Sequence, residues 1–314
     1  MGNGYEIVPV KALGSGVQLR VKGDELLRGD LRLVRAMVRV PATEVTEIWA
    51  GKGKAPKTLL SPDGADRLNR IAGLQVIELT GERYRRDIRD DRKGGLDLCV
   101  RSAVALGRDQ LGNLTMAGPM TISYSPRAYM MHSLTKQAND SRKSGVRWDA
   151  DPKPEGSKPW KHMSIDGDLG LWVDLSDVDV GRAIEAYAQS RKFAERLCMG
   201  ILRRNLFCSH PGGADKHPMP AADGNGYMVP VTAYIPQTEQ AAQEMQDMVK
   251  RISESDDPRD ALPEQARVID APMTEAEDEF GAADVAAISA GEELHEPTSD
   301  DDNLMAELDG LPFA

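Results

Sequence analysis

Cations interleaved with aromatic rings are the residues whose types and spacing point most directly to a chemistry. Arg142, Lys143, Arg147, Trp148, Lys158, Trp160, Lys161 and His162 all fall within one stretch of 21 residues. Single-stranded nucleic acid suits this mixture, because an unpaired base can stack on an indole while Lys or Arg neutralises the adjoining phosphate. Upstream, Arg83, Arg85, Arg86, Arg89, Arg92 and Lys93 crowd into eleven residues, diluted by Asp87, Asp90 and Asp91. Downstream, a helical pattern over 181–207 places Ser190, Ala194, Leu197 and Ile201 on one stripe and Lys192, Arg196 and Arg203 on the opposite side. Three cations spread over about 16 Å of helix axis can follow a phosphate backbone. A solvated helix face has the same pattern.

Covalent chemistry finds less support. Gly51-Lys52-Gly53-Lys54-Ala55-Pro56-Lys57-Thr58 is close to a phosphate-binding loop, but Pro56 stands where the second glycine belongs and has no N–H to offer a phosphate. Asp166, Asp168, Asp174, Asp177 and Asp179 are the residues a metal-dependent nuclease would use, yet they lack the calcium-loop spacing and its central glycine. Solvated or helix-capping roles suit them better. Cys198, Cys208, His210 and His217 form no compact zinc-ligand spacing. The expectation is a protein that is not an enzyme and uses neither cofactor nor metal.

The elements that must position these residues differ in charge along the chain. The 314 residues carry a net charge of −11, but residues 1–235 hold 35 Lys and Arg against 28 Asp and Glu, a balance of +7. Residues 236–314 hold 4 against 22, a balance of −18. A basic body attracts polyanions, and an acidic tail competes for the same surface or recruits other proteins. The start of the sequence has no basic segment leading into an apolar run, and the three cysteines have no framework spacing, so a cytoplasmic setting with reduced thiols is expected.

Ser61 as cap, Pro62 at the first helical position and Asp63 in the first turn predict a helix running through Leu68 and Ile71 to Gly73. A strand follows over 74–79, then a charged loop over 82–93. Strands over 96–106 and 114–124 pair through a turn containing Gly107, Gly112 and Asn113. A helix covers 126–136. The polar stretch 139–162, with Pro152, Pro154, Gly156 and Pro159, reads as a loop. The long helix 181–207 and a strand over 227–235 complete the body. The fold class is α+β: an antiparallel sheet packed with helices (1–236), a helical segment (237–254) and a disordered acidic C-terminal tail (255–314), whose composition buries too little apolar surface to fold.

Two resemblances sharpen the function. The acidic run Asp300-Asp301-Asp302, followed by Met305, Leu308, Asp309 and Leu311-Pro312-Phe313-Ala314, resembles the C-terminal tails of bacterial and phage single-stranded DNA-binding proteins. That likeness implies that Leu311, Pro312 and Phe313 enter an apolar pocket on a partner while Asp300, Asp301 and Asp302 meet its basic rim. Ala314 follows Phe313 here, whereas that family usually ends on Phe. The second likeness lies in Leu60-Ser61-Pro62-Asp63-Gly64-Ala65-Asp66-Arg67-Leu68, Ala72-Gly73-Leu74, Pro159-Trp160-Lys161-His162 and Ser190-Arg191-Lys192-Phe193-Ala194-Glu195-Arg196-Leu197. These segments resemble phage single-strand annealing recombinases of the RecT and Red-beta type over about 60–210, with 164–180 as an insertion.

The second resemblance implies ATP-independent annealing of complementary strands in homologous recombination by a ring or filament of subunits. It also implies DNA contacts from Lys192, Arg196, Arg191, Trp160 and Lys161. Charge and aromatic placement add Arg203, Trp148, Arg147, Arg85 and Arg86 to the expected DNA-binding set. The alternative is a replication-type single-stranded DNA-binding protein of OB-fold that protects strands and recruits partners. The 27-residue basic helix argues against such a barrel.

Overall fold

A computed structural model describes the backbone of residues 5–9, 18–22, 26–28, 31–48, 57–89, 95–140, 142–149, 158–166, 169–221, 224–236 and 239–270; side chains are described within 37–46, 57–89, 95–140, 142–149, 158–165, 169–221, 224–232 and 239–270. The chain opens with strands β1 (Tyr5–Pro9), β2 (Gln18–Lys22), β3 (Leu26–Arg28) and β4 (Leu31–Val40), then β5 (Val45–Ile48) and β6 (Lys57–Leu60). Helix α1 (Pro62–Ala72) leads into β7 (Gln75–Leu79), β8 (Arg85–Arg89), β9 (Leu96–Arg108) and β10 (Leu114–Tyr124). Then come α2 (Pro126–Ala138), β11 (Val146–Trp148), β12 (Trp160–Asp166), β13 (Leu169–Asp174), α3 (Val178–Lys192) and α4 (Ala194–Ser209). The described chain closes with β14 (Met219–Pro220), β15 (Tyr227–Pro236), α5 (Glu239–Glu254) and β16 (Arg267–Ile269).

This is an α+β protein. Its six-stranded sheet has the order β1-β2-β4-β15-β14 with β3 also on β4, and β5 pairs β6 in a separate ribbon. A five-stranded sheet has the order β16-β10-β9-β7, with β8 paired to the other half of the long β9. A three-stranded sheet has the order β11-β13-β12.

Local chemistry sets the elements where the sequence signals are strong. Ser61 caps α1 by accepting from the Gly64 N–H at 3.1 Å, and Gly73 ends it in the left-handed region at φ 72°. Asn69 then bonds both the N–H and the carbonyl of Leu74, fixing the turn into β7. The period of two along β9 decides which helix each side chain meets. Ala103 and Ala105 pack under Leu202 and Leu206 of α4, whereas Val104 and Leu106 face Ile252 of α5 on the other side. Two alanines on one face let α4 lie close to the sheet.

Four expectations are corrected. The charged stretch 82–93 contains β8, which pairs Arg85–Arg89 against β9. The loop expected over 139–162 contains β11 and the start of β12, because edge strands can carry polar residues on their solvent side. The single helix over 181–207 is two helices meeting at Phe193, whose φ −108° and ψ 16° leave the helical region. Residues 255–270, placed in the tail by composition, form turns and β16, which runs parallel to β10. Helix α5 is likewise part of the body: Met245, Met248, Val249 and Ile252 cover the five-stranded sheet. The rest of the expected disordered tail (271–314), with Asp300, Asp301, Asp302, Leu311, Pro312 and Phe313, lies outside the described residues, as does 51–56. Among the described residues, no helix is long and apolar enough to cross a membrane.

Candidate nucleic-acid interface

Residues 126–192 form a module inserted between β10 and α4. It has its own core of Met130, Met131, Leu134, Val146, Leu171, Val173, Val180 and Ala183. Helices α2 and α3 cover one face of the β11-β13-β12 sheet and also carry the module's principal contacts to the body, through β9 and α4. The opposite face of that sheet is where the expected chemistry gathers.

Register assigns the faces. Trp148 pairs with Leu171 and Val146 with Val173, so this parity points to the core; Arg147 pairs with Trp172 on the outer face. On β12, His162 is opposite Trp172 and Trp160 opposite Asp174, which puts Trp160, His162, Trp172 and Arg147 on the same outer face. The imidazole of His162 meets the Trp172 indole edge-on at 5.1 Å, and the Arg147 guanidinium lies 6.0 Å from the Trp160 ring centre. Gly170 makes the arrangement possible, since a Cβ there would collide with the imidazole. His162 Nε2 lies 3.1 Å from Asp149 Oδ2, which fixes the ring while leaving its side chain 40% exposed. Trp160 and Trp172 are half-buried and Arg147 is exposed. The result is an aromatic platform with a cation beside it.

Lys161 is exposed on β12, an edge strand of the sheet. Lys158 is 53% exposed and holds the buried Asp174 at 2.8 Å; this bond and one from Ser176 pull the Asp174 carboxyl down to about 2. Asp177 and Asp179 have local partners too. Asp177 caps α3 by accepting from the N–H groups of Asp179 and Val180, and Asp179 pairs with Lys143.

The remaining expected contacts separate from this platform. Trp148 has the parity of the module core, packs against it and donates from Nε1 to Asn139 at 3.1 Å, so it stands apart from the platform. Arg191 is 7% exposed and bonds Asp97 at 3.0 Å, so it joins the module to β9 instead of facing solvent. The break at Phe193 takes Lys192 out of line with Arg196 and Arg203, although all three are exposed. Arg203 lies near Asp66 of α1.

Arg85 pairs with Glu195 at 3.3 Å and Asp87 at 3.5 Å at the rim of a buried cluster. At its centre, fully buried Arg101 bonds Asp87 at 2.6 Å and Glu195 at 2.9 Å. Arg86 is exposed on the opposite face of β8. Cys198 is buried and donates to the Cys99 carbonyl, and His210 bonds the Thr115 carbonyl, with its pKa lowered by burial. His217 bonds the Thr58 carbonyl.

Trp172 is the residue that sequence reasoning passed over. It sat inside a segment read as an insertion, although the alternation Leu171-Trp172-Val173 carries the period of a strand with one face outward. Compared with protein-family models, curated proteins and solved structures, the chain matches none of them.

Proposed function

We propose that this protein binds single-stranded DNA on the outer face of the β11-β13-β12 sheet and anneals complementary strands without ATP. One observation carries the reading: Trp160, His162 and Trp172 share an exposed sheet face with Arg147, and Lys158 reaches the same face through Asp174. Exposed Lys161 lies between Trp160 and His162 on the edge strand, with the opposite parity. Stacking on such a surface is sequence-tolerant because every base has a π face, and the cations supply the salt-dependent part of the affinity. Annealing, assembly into a ring or filament and action in recombination follow from the RecT and Red-beta likeness. A cytoplasmic setting and recruitment of a replication or recombination protein through 300–313 belong to the same proposal. The described sheets are open and backed by helices, which favours this reading over an OB-fold barrel.

Single-tryptophan variants test it. Indole emission from Trp160 or Trp172 should change on adding a single-stranded oligonucleotide, and that of Trp148 should not. Silence from both platform indoles at saturating DNA rules the platform out.

A further inference from the structure

Helices α2 and α3 enclose a cleft of about 200 Å³ on the side of the module away from the platform. Tyr129, Met130, Ala183, Ala186 and Tyr187 give it apolar walls, and Lys143, Asp179 and Arg182 also line it. Both tyrosines are braced from behind. The Tyr129 ring lies 4.9 Å from that of Tyr124, which is 2% exposed. The Tyr187 ring lies 5.7 Å from the guanidinium of Arg191, itself buried and bonded to Asp97. Rings held in this way lose little freedom when a flat ligand stacks on them.

The charged side is equally organised. Lys143 and Arg182 both pair with Asp179, and Gln137 donates to the Asp179 carbonyl at 3.4 Å. The hydrogen bond from Lys143 holds the Asp179 carboxyl below its usual range, so it is ionised and the group of three carries one net positive charge. Asp179 lies in the first turn of α3, with Arg182 three residues on and Lys143 reaching in from the segment before β11.

We propose that the α2–α3 cleft is a nucleotide slot: a base stacks against Tyr129 or Tyr187, and its phosphate is met by Lys143 and Arg182. The slot is separate from the platform and rests on the single-strand reading only for the source of the nucleotide, which is either one unit of a bound strand or a free mononucleotide.

Calorimetry of the full chain tests it with three probes. Deoxyadenosine 5′-monophosphate should bind about tenfold more tightly than either deoxyadenosine or 2-deoxyribose 5-phosphate, since each fragment lacks one of the two attractions. Ala186→Trp, which fills the cleft, should abolish that binding. Exposed Lys143→Gln with Arg182→Gln should remove the advantage of the nucleotide over the nucleoside and leave nucleoside binding in place. A fall of about fivefold or more in single-strand affinity for Ala186→Trp assigns the slot to a nucleotide of the strand. Unchanged strand affinity with mononucleotide binding lost assigns it to free nucleotide. Trp160→Ala with Trp172→Ala should leave mononucleotide binding intact, so failure of the platform would be seen separately. No binding of the mononucleotide, or binding indifferent to both the filled cleft and the neutralised cations, overturns the slot.

Discussion

The body and the inserted module put their charged and aromatic residues to opposite uses. In the body, Arg101 is sealed between the sheet and α4, with Asp87, Glu195 and Glu78 around it. In the module, Arg147 stays exposed beside Trp160, and Trp172 stands half-buried on the sheet face opposite the module core. Both regions contain a cation on a strand, and what differs is the layer laid over it. A strand covered on both faces turns its charges into structure, whereas one covered on a single face can present them to a ligand.

Breaking the body's cluster should have the largest effect. Arg101→Ala opens a cavity at a fully buried position and removes the partner that Asp87, Glu195 and Glu78 share, and should cost about 3–5 kcal/mol, measured by urea unfolding. Strand affinity of the fraction still folded should not change. In the module, Leu171→Ala should cost about 2–5 kcal/mol, because the residue is fully buried in a small core. Tryptophan emission should report that loss at lower urea than the loss of amide protection in β9. A single shared transition would mean that the two regions are not separable.

The cations sharpen the comparison further. Neutralising Arg147, Lys158 and Lys161 together should lower the slope of log affinity against log salt by up to about 2, at roughly 0.7 per lost phosphate contact. Neutralising Lys192, Arg196 and Arg203 should change it less, since Lys192 lies on α3 and Arg196 and Arg203 on α4, and none is on the platform sheet. A larger drop from the second set would move the DNA onto α4.

Acid should loosen the module. The Asp174 carboxyl is held at about 2 by Lys158, below its ordinary value near 3.8. That bond therefore stabilises the folded state above pH ~4 and is lost as the pH falls toward about 2. Asp174→Asn should remove this pH dependence of Trp172 emission. The smallest effect concerns residues 271–314, which carry 13 Asp and Glu and neither Lys nor Arg. An acidic segment of this charge competes with phosphates for the same cations. Removing it should tighten strand binding a few-fold at low salt and little at high salt, as screening requires.

Much of the body was legible in the sequence because its signals are local. Ser61, Pro62 and Gly73 bound α1 through their own backbone preferences, and the β9–β10 hairpin follows from alternation and a glycine turn. Helix α2 was equally visible from Pro126. The module was less legible because its signals are relational. Val146, Arg147 and Trp148 make too short a run to announce a strand, and only pairing with β13 separates inward Trp148 from outward Arg147 and Trp172. Arg191 looked like another exposed cation of a basic helix until its ion pair with Asp97, far away in sequence, buried it. The end of the body was misplaced for a similar reason: β16 has three residues and exists through its pairing with β10.

A comparison of two variants tests the aromatic platform most directly. Trp160→Ala with Trp172→Ala should weaken binding to a thymidine oligonucleotide by about 1–3 kcal/mol per stacked base, with near-ultraviolet circular dichroism confirming the fold. Replacing Lys192, Arg196 and Arg203 by Gln should weaken it by less at the same salt concentration. Full affinity in the double-alanine variant, together with collapse in the triple-glutamine one, would contradict the platform and place the strand on α4.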